Sequence, residues 1–395
     1  MTAVYLFAGT AGVGKREVLE AFAGYLCDYA GIPESSRKQH VRVYDVHDFQ
    51  EFRDAATFLS LHRSEQKRVL SGAWQKLRQK IEADRPMIAL VGFHVTFYRD
   101  HQIRLVHPWG EIAALDPRAI TVLIDDIYHV WQRIEQKNEH NDTYSHYTLG
   151  ELLAWRTLEY EEATSLSENL IPGRTIDVWA FAVKHYKETL RRLLLEPEIP
   201  RCYLSFPITN IRSDPGARAI IDRMRRRVSE IATAFDPLTI DEMILVAEHN
   251  RLLEHNDLDG PVVISQGTRW PVDDVHERLA VFPDAVPISI PRSMVSELIG
   301  VSTRPRTPIE DHIRSRDFLL CTQAQFLAIY RPQYKGRLSV GATAEAHFST
   351  YAAPRRRLTY WPSEDGNKSG AFFADFGVSY QEEERWFSAL STFKP

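Results

Sequence analysis

Ala3-Val4-Tyr5-Leu6-Phe7-Ala8-Gly9-Thr10-Ala11-Gly12-Val13-Gly14-Lys15-Arg16 decides the fold of the first half of the chain. An apolar run feeds straight into a glycine-rich turn, and Glu17 to Tyr25 then carries helical spacing. This is G-x-x-x-x-G-K between strand and helix. In that context the glycines free backbone N–H groups to ring a phosphate at a helix N-terminus. Lys15 supplies a point charge for the terminal phosphates. Gly9, Thr10, Ala11, Gly12, Val13, Gly14, Lys15 and Arg16 are therefore the expected nucleotide-binding set, with ATP or another nucleoside triphosphate as ligand. Arg16 breaks the pattern. A working P-loop places Ser or Thr there to hold Mg²⁺, and a guanidinium cannot ligate a metal, although it can neutralise phosphate directly.

Outward from this stretch, strands are predicted at Val41 to Asp45, Met87 to Val91, Ile120 to Ile124 and Arg174 to Val178. Helices are predicted at Ser64 to Glu82, Ile127 to Gln136, Leu149 to Asn169 and Trp179 to Leu195. Parallel strands need crossover connections, so this alternation reads as a doubly wound parallel sheet in an α/β fold. Asp125 and Asp126 end the fourth strand, where they either cap the helix from Ile127 or offer a substitute metal site.

Composition narrows the function classes. The chain has 395 residues, 44% hydrophobic and 26% charged, which suits an ordinary globular protein of two or three domains. A net charge of −5 gives no nucleic-acid footprint, and the basic run Arg223-Met224-Arg225-Arg226-Arg227 reads as a solvated helix face. Cys27, Cys202 and Cys321 fit neither a disulfide framework nor a metal knuckle. No apolar run reaches the ~18 residues of a membrane span, and Met1-Thr2-Ala3-Val4 leads directly into a strand. A cytoplasmic location and no membrane partner are the expectation.

Gly9 to Lys15, Val91-Gly92-Phe93-His94-Val95-Thr96, Leu115-Asp116-Pro117-Arg118-Ala119-Ile120 and Arg133 together resemble the archaeal-type adenylate kinases. The resemblance spans about the first 195 residues. It implies a nucleoside monophosphate kinase fold, a second nucleotide site near the third strand, and phosphate-clamping roles for Arg133 and Arg156, which otherwise read as solvated helix arginines. It also exposes a second loss. Where that family holds Mg²⁺ through an aspartate after the third strand, this chain has Gly92. With both usual protein contacts to Mg²⁺ missing, the expectation is nucleotide binding with weak kinase turnover and no protein metal ligands.

Leu195-Glu196-Pro197-Glu198-Ile199-Pro200 reads as the boundary, giving domains 1–195 and 201–395 with a linker at 196–200. Beyond it, Arg201 to Thr209 opens a strand and loop, Gly216 to Thr233 is helical, and Ala234 to Pro237 is a strand end and turn. Val262 to Ser265 and Ala285 to Ser289 are short strand candidates, Ile309 to Phe318 is helical, and Phe326 to Tyr330 is a buried parallel strand. Next comes Ser339-Val340-Gly341-Ala342-Thr343-Ala344-Glu345. It reads as a glycine turn placing Glu345 in the first turn of a helix at Ala346 to Ala353, at the carboxyl edge of the sheet where open α/β sheets bind ligands. A first-turn Glu also serves a helix dipole, so the residue alone does not decide between the two roles.

Tyr203-Leu204-Ser205-Phe206-Pro207-Ile208, Phe235-Asp236-Pro237, Ile313-Arg314-Ser315-Arg316-Asp317 and Gly341 to Glu345, in that order, resemble the nucleoside 2-deoxyribosyltransferase-like family. The resemblance implies a second, flavodoxin-like α/β sheet, with Glu345 as the nucleophile that attacks the sugar C1′ and expels the base. It implies a catalytic Asp317, or else an Asp317 paired with Arg314 or Arg316. It implies a substrate pocket from Tyr203, Ser205, Phe206, Pro207, Asp236, Ser339 and Gly341, although Tyr203, Ser205 and Pro207 also suit packing. Ser339 and Gln325 stand where the family often has Asp. His347 lies on a different helix face and reads as exposed or satisfied.

The expected function is a two-domain nucleotide-metabolism enzyme that cleaves or transfers at the N-glycosidic bond of a nucleoside or (deoxy)nucleotide. Its P-loop half binds a nucleotide, and its partners are small-molecule nucleosides or nucleotides, with a homo-oligomer allowed. The alternatives are an active nucleoside or nucleotide kinase with a nucleotide-binding C-terminal domain, and a non-catalytic nucleotide sensor.

Overall fold

The computed structural model describes residues 2–49, 55–99, 102–104, 108–141, 146–208, 212, 214–257, 259–265, 275–279, 287–300, 307–331, 340–352, 356–362 and 377–393. The chain divides into two compact units. Residues 1–184, 245–265 and 279–301 form the first, and 185–244, 266–278 and 302–395 the second. This differs from the expected partition. The segment 196–200 lies inside the second unit, and two stretches beyond it return to the first. A proline pair ends a helix wherever it falls, so it marks a helix end more reliably than a domain edge.

In the first unit, β1 (Ala3–Ala8), β2 (Val41–Asp45) and β3 (Ile88–Gly92) are followed by a short antiparallel hairpin of β4 (Phe97–Arg99) and β5 (Gln102–Arg104). Then come β6 (Ala119–Ile124) and β7 (Asp177–Ala182). The main sheet has the order β2-β3-β1-β6-β7, and every pairing is parallel. All residues of β6 are buried, as a strand covered on both faces requires. Flanking helices include Lys15–Tyr29, Arg63–Asp84, Ile127–Asn141 and Leu149–Leu170, the last opened by a capping box between Thr148 and Glu151.

One element differs from its prediction. The strand expected at Arg174 to Val178 runs instead from Asp177 to Ala182, so Trp179 to Ala182 are extended and the helix begins only at Lys187. A short apolar run is ambiguous between helix and strand. Here the full-length register with β6, from Ala119 opposite Asp177 to Ile124 opposite Ala182, decides the matter.

The second unit starts its sheet with β8 (Arg201–Ser205) and β9 (Thr233–Phe235). The chain then returns to the first unit, where β10 (Val262–Ile264) and β11 (Ile288–Ile290) pair antiparallel. Back in the second unit, β12 (Phe326–Tyr330), β13 (Arg356–Tyr360) and β14 (Gly377–Tyr380) complete a parallel sheet of order β14-β13-β12-β8-β9. Its core gathers Cys202, Leu204, Phe206, Met224, Phe326 and Trp386. The Trp386 indole N–H donates to the Leu358 carbonyl at 2.8 Å. The basic run is not simply a solvated face. Arg225 is buried and bonds Asp236 at 2.6 Å, while Met224 lies in the core.

Candidate functional site

Both sheets place their chemistry at carboxyl edges. In the first, the connection after β1 leads towards β2, while the connection after β3 crosses β1 to β6. The strand order therefore reverses between β1 and β3, which is where doubly wound sheets open a crevice. The Gly9 to Gly14 loop follows β1. Gly9 has φ 145° and Gly12 φ 78°. A Cβ at Gly9 would stand 2.7 Å from the Leu123 carbonyl, and one at Gly12 2.9 Å from that of Val130. Only glycine lets the loop lie this close to β6 and the helix Ile127–Asn141.

Lys15 is buried at the start of its helix. Its Nζ donates to the Gly9 carbonyl at 2.8 Å and lies 3.1 Å from Nε2 of His94, the residue that follows β3 by two positions. Burial lowers the Lys15 pKa to about 8, against the opposing pull of the Glu159 and Asp45 charges. Burial, and then the Lys15 charge, also hold His94 well below its usual range. The His94 ring stacks on Trp155 with centroids 6.2 Å apart. Glu159, fully buried, accepts from the backbone N–H groups of Val95 at 3.0 Å and Thr96 at 3.3 Å. Nothing in the local sequence marks His94, Trp155 or Glu159 for a role, because their meeting depends on the fold.

Arg16 is ion-paired at the end of β2. Its guanidinium binds Asp48 at 2.6 Å and lies 3.9 Å from Asp45, at the carboxyl end of β2. A cavity of about 120 Å³ lies beside it, lined in part by Arg16, Glu20, Tyr44, Asp45 and Asp48. The phosphate-neutralising role expected of Arg16 would require leaving this half-exposed ion pair. Arg133 and Arg156 are not solvated. Arg133 donates through Nε to the Gly12 carbonyl and through Nη2 to Asp125 at 2.6 Å, and Arg156 is buried with Nη1 3.4 Å from the Asp125 carbonyl.

Asp125 and Asp126, both buried, stand at the end of β6 beside the loop. Their carboxylate oxygens and a ring nitrogen of His129 all lie within 4.8 Å of one another, a spacing able to hold a cation. That set does not suit Mg²⁺ as it stands. Lys184, just past β7, is ion-paired with Asp126 and lies 3.7 Å from Asp125, while Arg133 binds the other oxygen of Asp125. Burial opposes ionisation of Asp125, but Arg133 and Lys184 outweigh it and hold the carboxyl well below its usual range. The two carboxylates are therefore already neutralised by two protein cations.

In the second sheet the order reverses between β8 and β12. Alternation along β8 sends Cys202 and Leu204 into the core and presents Tyr203 and Ser205 on the other face. There both meet Glu345. The Tyr203 hydroxyl donates to Oε1 at 2.8 Å and the Ser205 hydroxyl to Oε2 at 2.5 Å. Glu345 is buried, and its pKa is pushed up to about 7, first by burial and then by the nearby Asp317 charge, against the lowering effect of the two hydroxyls. Tyr203 is held well above its usual range by the same burial and charges, and so remains an O–H donor.

Several expected positions are revised here. The helix is Val340–Tyr351, so Glu345 sits in its second turn and Gly341 lies within the helix instead of in a turn before it. A dipole role belongs to the terminal turn, which removes that reading of Glu345. Asp317 pairs with Arg316 at 2.8 Å, and Arg316 also reaches Glu242 at 3.4 Å. Phe206 belongs to the core, Pro207 is buried, and the Asp236 carboxylate is occupied by Arg225 and by the N–H of Leu238 at 2.9 Å. Gln325 exchanges bonds with Arg201 at the amino end of the sheet. That is about 13 Å along β8 from Ser205, so its departure from the family pattern does not touch the carboxyl edge. His347 is exposed and stacks on Tyr351. Ser339 lies outside the described residues.

Compared with known proteins, the sequence matches no family model, and no curated protein matches it significantly. Among solved structures, thymidylate kinase from Ehrlichia chaffeensis is similar at 13% identity and a TM-score of 0.22. The match covers 37% of this chain and 86% of that one. At that score the likeness carries no argument, and the reading of the first unit rests on its own loop and strand order. Cys27, Cys202 and Cys321 are buried, and none of them is in a disulfide. Among the described residues no helix is long and apolar enough to cross a membrane.

Proposed function

We propose that the chain is a nucleotide-metabolism enzyme acting at the N-glycosidic bond of a nucleoside or nucleotide, with Glu345 as nucleophile and a P-loop unit that binds a nucleoside triphosphate. One observation carries the reading: a buried carboxylate at a strand-order reversal, held by Tyr203 and Ser205 and poised near neutral pH. Residues with displaced pKa values at such crevices are functional candidates. The order of the second sheet, counted from its own first strand as 2-1-3-4-5, is that of flavodoxin-like folds and supports the family resemblance.

The chemistry follows from the carboxylate. Ionised Glu345 attacks C1′, the C1′–N bond breaks, and the bonding pair leaves on the base, which is protonated on release. Water then cleaves the glycosyl ester to give hydrolysis, or a second base attacks it to give transfer. Tyr203 and Ser205 orient the carboxylate, and Asp317 tunes its ionisation. In the first unit, Lys15 and the loop N–H groups bind phosphates. Asp125 and Asp126 are committed to Lys184 and Arg133, which supports slow phosphoryl transfer over an active kinase.

The decisive experiment is mass spectrometry of a nucleoside and nucleotide pool before and after incubation. Native protein is expected to release free base, and Glu345→Gln to abolish the release while staying folded. Equal release by both proteins would refute the role of Glu345. Phosphoryl transfer from ATP at the ~1 to 100 s⁻¹ typical of kinases would refute the reading of the first unit.

A further inference from the structure

We propose that the P-loop unit binds its triphosphate without a divalent ion, because Lys184 is a built-in cation occupying the carboxylate pair that would otherwise hold one. The inference rests on the nucleotide-binding reading of the loop and adds the chemical form of the ligand: the metal-free nucleoside triphosphate.

Three observations converge. A P-loop metal is ordinarily held by a hydroxyl after the lysine and by an aspartate at a neighbouring strand end. In this chain the first position is Arg16, whose guanidinium is drawn to Asp48 at 2.6 Å. The second contact is present in kind, since Asp125 and Asp126 end β6, the neighbour of β1. Yet Lys184 spans both carboxylates, and Arg133 ties Asp125 back to the loop through the Gly12 carbonyl.

Charge counting gives the consequence. Two carboxylates facing one ammonium and one guanidinium are balanced, and a divalent ion added there would leave two positive charges in excess. Entry would require ejecting Lys184 from a place where its side chain is only 14% exposed and its partners are fully buried. Abandoning a buried ion pair one partner at a time is strongly unfavourable. The charge that meets a triphosphate on this loop is then Lys15, with Arg133 and Lys184 already balanced by Asp125 and Asp126. Remove Lys184, and Asp125, Asp126 and His129 are left with donor atoms within 4.8 Å of one another, a spacing that accepts an ion. Lys184 is thus what excludes the metal.

The test uses the full-length protein and two independent readouts. In electron paramagnetic resonance titrations of the nucleotide-free protein, native chain and Lys184→Arg are expected to bind no Mn²⁺ below millimolar concentration. Lys184→Met is expected to bind one equivalent, lost again when Asp125→Asn is added. In isothermal titration, ATP affinity for the native chain is expected to be at least tenfold higher in EDTA than in excess Mg²⁺, where nearly all ATP is the magnesium complex. Stoichiometric Mn²⁺ binding by the native chain would overturn the proposal, and so would a folded Lys184→Met that binds none, or an ATP affinity in excess Mg²⁺ equal to or above that in EDTA. If Lys184→Met does not fold, Lys184→Gln, which also removes the cation, is titrated in its place with the same expectation of one equivalent of Mn²⁺. ATP binding in neither buffer would refute the nucleotide reading of the loop, while the Mn²⁺ arm would still report whether Lys184 bars the metal.

Discussion

Replacing Glu345 with Gln should make the second unit more stable while destroying its activity. The carboxyl is raised from an ordinary 4.5 to about 7, chiefly because burial disfavours the charged form and secondly because Asp317 repels it. A carboxyl whose folded pKa exceeds its unfolded value contributes stability fully below the unfolded value, near pH 4.5. That contribution is lost as pH rises through about 7. At about 1.36 kcal/mol per pH unit, the native chain at pH 8.5 carries roughly 3 kcal/mol of ionisation cost that a neutral amide does not. The amide of the Glu345→Gln variant keeps an acceptor for the Tyr203 hydroxyl and can donate to Ser205 Oγ, so the packing is preserved. Denaturant titrations at pH 5 and pH 8.5 measure the effect. The variant should gain only about 1 kcal/mol or less at pH 5, and about 3 kcal/mol at pH 8.5. In calorimetry that gain is several degrees for a unit of this size. A variant equal to or less stable than native at pH 8.5 would refute the argument, since Glu345 would then not be a charge held at a cost.

Other consequences follow from the same geometry. Asp317→Asn removes the second cause of the raised Glu345 pKa, so the acid limb of base release, expected near pH 7 in the native chain, should move to lower pH; an unmoved limb in a pH–rate profile would exclude the coupling. Lys15 loses its proton above about pH 8, so ATP affinity by isothermal titration should fall between pH 7.5 and 9, a range in which an ordinary lysine stays charged. Lys15→Ala should weaken ATP by on the order of tenfold or more and abolish that pH dependence. Gly9→Ala would drive a Cβ to 2.7 Å from the Leu123 carbonyl at a φ that side chains rarely adopt, so the variant should lose ATP binding and melt earlier by calorimetry; native-like values in both would show that the loop relaxes at no cost.

The features legible in the chain alone are local in origin. Glycine spacing before Lys15, the apolar runs at β1, β3, β6 and β12, and the helices between them depend on neighbours a few residues away. Where a run was too short to choose its own state, as at Trp179 to Ala182, pairing with β6 made the choice. β13 and β14 escaped notice because Arg356 and Arg357 and the short Gly377–Tyr380 segment lack an apolar strand signature, although they complete the second sheet. The matching of charges came from the folded arrangement. Lys184 meets Asp126 across 58 positions, and Tyr203 meets Glu345 across 142. No periodicity encodes such a meeting, because it depends on which strand ends the sheet order brings side by side. Both strand ends are buried, and the charges met there set which acid stays ionised: Arg133 and Lys184 beside Asp125, the Asp317 carboxylate beside Glu345.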